Sequence, residues 1–199
     1  SGSMPFASNH YPFKKENFDP KRWFGFGGKG YPADFIAEGL DQTRGWFYSL
    51  IVLGTALFGK APYKNVIVNG LILASDGAKM SKRLRNYPDP MEVVEKYGAD
   101  ALRYYLLSSS LMRAEDLNFN ENNVKEVYRK VMMLFYNIMQ FYQMYGKGNA
   151  IFNKPGNKHV LDRWIISIIN KTIRDVTNAF EDYDAISACS SISSCIDDI

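Results

Sequence analysis

Apolar and polar residues follow two different patterns along this chain, and the change falls at residue 89. Residues 33–39 (ADFIAEG) form a short strand candidate, and residues 65–73 (NVIVNGLIL) are rich in β-branched side chains. Between them, the apolar residues of 42–58 recur at helical spacing. This order predicts a βαβ unit whose second strand belongs to a parallel sheet and is buried on both faces.

Turn-forming residues mark the ends of these elements. Asp41 can cap the helix, Gly59 ends it, and Pro62 prevents it from resuming. Ahead of the first strand, the glycine-rich stretch GFGGKGYP (25–32) predicts a flexible loop.

From residue 89 onward, helical periodicity dominates. DPMEVVEKYG and ADALRYYLLSS predict two helices separated at Gly98, and a polar turn follows at EDLNFNENN. Long helices are predicted over 122–146 and 160–184, and a further one begins at 185. The predicted fold class is therefore an α/β part followed by an α-helical bundle. Neither end carries a capped element, so we expect a piece of a longer protein.

Composition narrows the picture only slightly. The 199 residues are 46% apolar and 23% charged, with a net charge of +3, as a globular protein with an ordinary core would be. Cys189 and Cys195 have no histidine nearby, which argues against a zinc site. Only two cysteines in a chain of this length favour a cytosolic setting. The start lacks a signal-peptide pattern, and no apolar run reaches the ~18 residues of a membrane span.

The distribution of charge is more informative than its sum. Residues 77–86 (GAKMSKRLRN) contain four basic side chains: Lys79, Lys82, Arg83 and Arg85. Most basic runs are solvated surface, but this one follows a buried strand candidate, at the strand end where nucleotides bind in such folds. Lysine ammonium groups there can follow a polyphosphate during reaction. We expect Ser81 to offer its hydroxyl and backbone N–H to the same anion, and Gly77 to let the loop move.

A second constellation, EGLDQTRGWF, occupies residues 38–47. Glu38, Asp41 and Gln42 lie at a strand end and helix start, where acidic groups can accept hydrogen bonds from a ribose hydroxyl or an ammonium group. Periodicity alone favours a core position for Trp46, and it leaves Asp41 open between a helix cap and a binding residue.

KMSKR at 79–83 resembles the second signature, KMSKS, of the class I aminoacyl-tRNA synthetases. Four further stretches make the chain similar to the isoleucyl-tRNA synthetases among them: SGSMPFA (1–7), EGLDQTRGWF (38–47), VNGLILASDG (68–77) and YGADALRYYL (97–106). The eukaryotic cytosolic form, in which KMSKR and NYPDP are familiar, is the most similar. Valyl-tRNA synthetases typically show a GHDI-like segment in place of GLDQ and lack RGW, so DQTRGW is the discriminating piece.

On the amino-acid side, the resemblance implies a role for each matching residue. Glu38, Gly39, Asp41 and Gln42 would hold the aminoacyl-adenylate through its amino group and ribose. Trp46 would form one wall of the isoleucine side-chain pocket, in contrast to the core position that periodicity favours.

On the nucleotide side, the resemblance implies contacts with ATP. Gly70 and Ile72 would flank the adenine, and the catalytic residues Lys79 and Lys82 would stabilise the triphosphate in the transition state. The implied ATP-binding set is Gly70, Ile72, Lys79, Met80, Ser81 and Lys82. Mg²⁺ would accompany the phosphates, and no metal bound by protein side chains is implied. Arg83 stands where many members have serine, so no role is carried over to it.

The resemblance also implies the reaction and its partners. Isoleucine and ATP would form isoleucyl-adenylate, which would then acylate tRNA(Ile) in the cytoplasm; membership of a larger synthetase assembly is left open and no membrane is involved. Residues 1–88 would be the second half of the Rossmann-like catalytic domain with the KMSKR loop, 89–120 the connecting, stem-contacting helices, and 121–199 the start of the anticodon-binding domain.

Two departures from the family affect the expected activity. The HIGH signature and the editing insertion have no match here, so we expect the chain to be inactive alone. A valyl-tRNA synthetase-like piece and a non-catalytic module that binds tRNA or a partner protein remain as alternatives. The presence of all the adenylate residues favours the enzyme.

Overall fold

The computed structural model of the protein describes residues 1–14, 18, 30–81, 83–84, 86–146 and 159–199. These residues form two compact units, Ser1–Gly70 and Leu71–Ile199. The functional boundaries expected at 88/89 and 120/121 stay predictions. Most of the glycine-rich stretch 25–32 lies outside the described residues.

The first unit is built around a βαβ arrangement. A short helix α1 (Met4–Ala7) precedes β1 (Ala33–Gly39), which leads through a 3₁₀ turn (Leu40–Arg44) into α2 (Trp46–Phe58) and then β2 (Tyr63–Asn69). The strands are parallel, in a register that runs from Ala33 opposite Tyr63 to Gly39 opposite Asn69. The predicted βαβ unit and its parallel pairing are thus confirmed.

Two apolar clusters stabilise this unit. Ile36 of β1 is buried against Phe47 and Leu50 of α2, which fixes the helix on the sheet. A second cluster is aromatic: the rings of Phe18, Tyr31 and Phe58 lie 5.0–5.6 Å apart in tilted or edge-on arrangements. Gly59 adopts φ +64° and ends α2, as predicted, because a left-handed residue with no Cβ terminates a helix at little cost.

The second unit is mainly helical. It comprises β3 (Ile72–Leu73), α3 (Pro90–Tyr97), α4 (Ala99–Leu107), a 3₁₀ turn (Ser110–Arg113), β4 (Leu117–Asn118), α5 (Glu121–Val127), a π-helical segment (Tyr128–Met132), α6 (Met133–Tyr145), α7 (Val160–Glu181) and α8 (Ala185–Asp198). The predicted break at Gly98 and the long helix predicted over 160–184 are confirmed. The helix predicted over 122–146 is interrupted by the π-helical segment between α5 and α6. No helix in the described part of the chain is long and apolar enough to span a bilayer.

Local capping explains where these helices begin. Asp89 accepts a hydrogen bond from the backbone N–H of Met91 at 2.8 Å, and Pro90 takes the first helical position, where its missing N–H costs nothing. Asn120 and Asp184 cap α5 and α8 in the same way. The core of the unit forms where Val93 and Val124 pack with Ala101 and Tyr105.

Three expectations are wrong. Residues 65–73 form β2 and β3 rather than one strand buried on both faces: Val66 is 44% exposed, because β1 is the only strand beside β2 in the described part of the chain. Asp41 caps no helix and lies inside the 3₁₀ turn. The polar turn expected after residue 114 contains β4, which pairs in parallel with β3.

Candidate functional site

The first group of candidate residues lies at the carboxyl end of β1, in residues 38–46, called here the β1–α2 junction. Asp41 Oδ2 accepts a hydrogen bond from Gln42 Nε2 at 3.1 Å, and Gln42 Oε1 accepts one from the backbone N–H of Trp46 at 2.9 Å. Gln42 therefore performs the capping role expected of Asp41: it satisfies an N–H at the start of α2 and holds the Asp41 carboxylate beside it.

Two glycines give these side chains the space they occupy. A Cβ on Gly39 would lie 2.8 Å from Asp41 Oδ1, and a Cβ on Gly45 would lie 2.8 Å from Gln42 Oε1. Both distances are well inside van der Waals contact. Any larger residue at either position would therefore displace the polar groups of the junction.

Trp46 is partly buried at the start of α2. Its ring is partly buried against the cluster of Ile36, Phe47 and Leu50, and its Nε1 donates to the backbone carbonyl of Ser1 at 3.4 Å. The core packing favoured by periodicity is thus confirmed. The role of Trp46 as a pocket wall stays a prediction.

The end of β2 contributes a residue that the sequence reasoning missed. Asn69 stands opposite Gly39 in the sheet, and its Oδ1 is buried with no hydrogen-bond partner among the described residues. Buried polar atoms are seldom left unpaired, so this amide stands out beside the junction. The signal in the sequence is a polar residue that directly follows the apolar run VIV (66–68). Glu38 is exposed on β1, and Gly70 directly follows Asn69.

The second group of candidates lies in the other unit, on a tight turn after β3. The backbone N–H of Ala74 donates to Ala78 O at 2.8 Å, and the N–H of Gly77 donates to Ala74 O at 2.9 Å. Asp76 Oδ1 accepts from the N–H of Ala78 at 2.9 Å. Gly77 has φ +80°, a conformation that side chains disfavour. The turn brings the chain back along β3, where Lys79 forms an antiparallel bridge with Leu73.

Lys79 is exposed, and no carboxylate in the described part of the chain pairs with its ammonium group. Met80 and Ser81 are partly exposed, as is Ile72 on β3. Lys82, which we expected to act with Lys79, lies outside the described residues. A cation that is exposed and forms no ion pair keeps its charge available to an anion from solution.

The backbone of this loop is held by Asn86, which the sequence reasoning did not single out. Asn86 Oδ1 accepts from the N–H of Ser81 at 2.9 Å, and its Nδ2 donates to the carbonyl of Lys79 at 3.2 Å. The expectation that Ser81 offers its backbone N–H to an anion is therefore wrong, because that donor is already engaged. The Ser81 hydroxyl forms no hydrogen bond with another described residue.

The candidates thus form two groups, one in each unit. Hydrogen bonds join Asp41, Gln42 and Trp46 in the first unit, and Asn86 links Lys79 to Ser81 in the second. Gly39 leaves the space that the Asp41 carboxylate occupies.

Metal-binding side chains do not cluster in the parts of the chain described above: no three His, Cys, Asp or Glu residues are placed to hold an ion. Cys189 and Cys195 are both free thiols. Burial raises the pKa of the Cys189 thiol, which keeps it protonated and unreactive.

Comparison with known proteins identifies the class. Residues 1–118 match the family model described as tRNA synthetases class I (I, L, M and V). Since this match covers more than half of the 199 residues, the chain belongs to the class I tRNA synthetase family. The α/β unit with following helices is thus a class I synthetase region.

The relatives are more specific. An isoleucine–tRNA ligase of Protochlamydia amoebophila (strain UWE25) is 51% identical over 191 residues, covering 92% of this chain and 17% of the relative. A cytoplasmic isoleucine–tRNA ligase of Schizosaccharomyces pombe (strain 972 / ATCC 24843) is 48% identical over 196 residues, with the same coverage of both chains. The resemblance to isoleucyl-tRNA synthetases is confirmed. The eukaryotic cytosolic type stays a prediction, because the two relatives match almost equally well.

A solved structure is also similar. The LeuRS of Agrobacterium radiobacter K84, in a ternary complex with tRNA and LeuAMS, superimposes with a TM-score of 0.67 and 25% identity, over 85% of this chain and 23% of that one. The present chain spans less than a fifth of the length of the two curated relatives.

Proposed function

We propose that this chain is part of an isoleucine–tRNA ligase, which activates isoleucine with ATP and transfers it to tRNA(Ile) in the cytoplasm. The observation that carries this proposal is the 51% identity over 191 residues to a protein of that name. Isoleucine, ATP and tRNA(Ile) are the partners, and residues 1–88, 89–120 and 121–199 are the catalytic half, the connecting helices and the start of the anticodon-binding domain.

The β1–α2 junction supplies the aminoacyl-adenylate contacts. Glu38 and Asp41 are exposed carboxylates at a strand end, able to accept hydrogen bonds from the ammonium group of isoleucine and from ribose hydroxyls. Gln42 holds Asp41 in place. Gly39 keeps the backbone open to close approach, and the exposed part of Trp46 lines the side-chain pocket.

The nucleotide is held by residues at the ends of β2 and β3 and by residues 77–86, called here the basic loop. Gly70 and Ile72 flank the adenine, while Lys79, Met80, Ser81 and Lys82 face the phosphates. The ammonium group of Lys79, which forms no ion pair with a described residue, supports this assignment, since a lysine acts on phosphate as a mobile point charge. Mg²⁺ bound to the triphosphate would neutralise further charge.

The chemistry requires no enzyme nucleophile. The isoleucine carboxylate attacks the α-phosphorus of ATP, the bond to the β-phosphate oxygen breaks, and pyrophosphate leaves. A terminal ribose hydroxyl of tRNA(Ile) then attacks the carbonyl carbon of the adenylate, and AMP leaves. Positioning and charge stabilisation by Lys79 and Lys82 provide the catalysis.

Calorimetric titration with a stable isoleucyl-adenylate mimic tests the proposal, with the valyl mimic run in parallel. In the full-length protein, we expect selective binding of the isoleucyl mimic, weakened about tenfold or more by Asp41→Ala, since hydrogen bonds to charged groups are stronger than neutral ones. Asp198→Ala, which removes an exposed carboxylate on α8, is the matched control and should change nothing.

Other outcomes decide between the alternatives. Preference for the valyl mimic would favour a valyl-tRNA synthetase-like protein, and failure of the full-length protein to bind either mimic would favour a non-catalytic module. We also expect the 199-residue chain alone to show no isoleucine-dependent pyrophosphate exchange, because it spans 17% of its relatives. Robust exchange would contradict that expectation.

A further inference from the structure

We propose that Asn86 is a positioning residue for the basic loop: its amide fixes the backbone from which Lys79 extends and so sets how well that ammonium group stabilises the triphosphate. The loop's catalytic role rests on the proposed function. The hydrogen bonds from Asn86 to the loop backbone do not rest on that function, and they can be tested separately.

The geometry assigns this role to a single amide. Asn86 Oδ1 accepts from the N–H of Ser81 at 2.9 Å, while Nδ2 donates to the carbonyl of Lys79 at 3.2 Å. Lys79 and Ser81 lie on either side of Met80. The Asn86 side chain therefore bonds to the backbone both before and after Met80. A carboxamide suits this role, because it carries an acceptor and a donor in the same plane without any net charge.

Both ends of the loop are anchored elsewhere in the unit. Before it, β3 pairs with β4, and the backbone N–H of Leu71 donates to Asp116 Oδ1 at 3.0 Å. After it, α3 begins at Pro90 with Asp89 as its cap, and Val93 of α3 is fully buried. Asn86 lies between these fixed points. Its loss would release the Ser81 N–H and the Lys79 carbonyl, while the bridge between Lys79 and Leu73 and the elements on either side would stay in place.

Lys79 itself shows why fixing the backbone matters. Its side chain is exposed and forms no ion pair with a described residue, so the position of its backbone is what directs the ammonium group in the described part of the loop. A charge already aimed at the site where negative charge develops stabilises a transition state more than one that must first be ordered. Loss of Asn86 should therefore lower kcat more than it changes the KM for ATP.

Hydrogen exchange of the backbone, followed by mass spectrometry on the full-length protein, tests the structural part. We expect Asn86→Ala to accelerate exchange in peptides covering 79–81 by about tenfold, the factor expected from losing hydrogen bonds of ordinary strength. Asn86→Asp keeps an acceptor for Ser81 but loses the donor to Lys79, so its effect should be intermediate. Asn122→Ala, an exposed asparagine on α5, is the control and should leave these peptides unchanged.

Pyrophosphate exchange with the same variants tests the catalytic part. We expect kcat to fall about tenfold for Asn86→Ala and less for Asn86→Asp, with the KM for ATP within about threefold of the wild-type value. Unchanged amide exchange in both variants would overturn the inference whatever the activity, and faster amide exchange with unchanged kcat would overturn the positioning role. Should Asn86→Ala fail to fold, Asn86→Asp alone decides by the same criteria. A wild-type protein with no activity would instead refute the proposed function, while amide exchange would still report on the Asn86 contacts.

Discussion

The two groups of candidate residues are held in place by different forces. The β1–α2 junction rests on a small apolar cluster, Ile36, Phe47 and Leu50, and its polar side chains bond to one another and to the start of α2. In the basic loop, the side chain of Asn86 holds the backbone of residues 79–81, and Lys79 forms no ion pair with a carboxylate in the described part of the chain.

This difference bears on how function is inferred from each group. Where polar side chains already satisfy one another, as at Asp41 and Gln42, a structural role and a binding role coincide, so a substitution disturbs both. Where a cation forms no ion pair with any described residue, as at Lys79, we expect folding to depend little on its charge. Stability and activity should therefore change together at the junction and separately in the loop.

The largest expected effect is on stability, from a substitution in the apolar cluster beneath the β1–α2 junction. Leu50 is 2% exposed, so Leu50→Ala should lower the free energy of unfolding by about 2–5 kcal/mol through lost burial and the cavity left behind. Urea unfolding followed by circular dichroism measures it. Leu57→Ala on the same helix is the matched control: Leu57 is 57% exposed, and its truncation should cost less than about 1 kcal/mol. Equal losses in the two variants would show that the cluster does not support the junction.

The next largest effect is expected on activity, from a substitution in the basic loop. Lys79→Ala in the full-length protein should reduce the rate of pyrophosphate exchange about 100-fold, the usual loss when one preorganised charge-stabilising group is removed. The free energy of unfolding should change by no more than about 0.5 kcal/mol, because the side chain is exposed and unpaired. Lys125→Ala, which removes an exposed lysine on α5, should leave the rate unchanged. A loss of stability with an unchanged rate would show that Lys79 serves folding and not catalysis.

The sequence predicted those parts of the fold whose causes are local. The helix start at Asp89–Pro90, the break at Gly98 and the end of α2 at Gly59 each depend on one or two residues whose backbone preferences are strong. The parallel pairing of β1 and β2 also followed, since a helix between two apolar runs leaves few alternatives.

The features that the sequence did not predict depend on contacts between residues distant in sequence. β4 contains only Leu117 and Asn118, and its partner β3 lies some 45 residues earlier, so no local pattern marks it. The burial of β2 depends on how many strands flank it. Asn86 bonds to backbone groups, which every residue has, so the sequence does not mark its partners. Candidate chemistry was predicted by residue type and position, whereas the groups that hold it in place were visible only in the structure.

Gln42 offers a smaller test at the junction itself. Gln42→Ala removes the acceptor for the Trp46 N–H and the donor to Asp41, and should lower the free energy of unfolding by about 1 kcal/mol, as the loss of a helix cap does. The same variant should weaken binding of the isoleucyl-adenylate mimic, because Asp41 loses its support. Gln143→Ala, an exposed residue on α6, controls for both measurements. Weaker binding with unchanged stability would separate the two roles that the junction is expected to combine.

The smallest expected effect concerns a lysine that, unlike Lys79, has an acidic partner. Lys96 Nζ lies 3.2 Å from Glu121 Oε1, and the Tyr97 hydroxyl donates to the same oxygen at 3.1 Å. The hydrogen bonds from Lys96 and then Tyr97 hold the pKa of Glu121 below its ordinary value. Because the unfolded chain then binds the proton more readily, the stabilisation is fully present above the unfolded pKa of about 4.3 and is lost as pH falls through the lower folded pKa.

Glu121→Gln tests this sign directly. The wild type should exceed the variant in unfolding free energy at pH 7, and the difference should shrink below about pH 4, where the carboxylate of the folded protein becomes protonated. The effect should be small and weakened by salt, since the pair is solvent-exposed. Glu95→Gln, an exposed glutamate on α3, is the control. A difference that stays constant with pH would mean that the Lys96–Glu121 pair contributes through shape alone, and the contrast between a lysine used in folding and one left for a ligand would then lose its electrostatic basis.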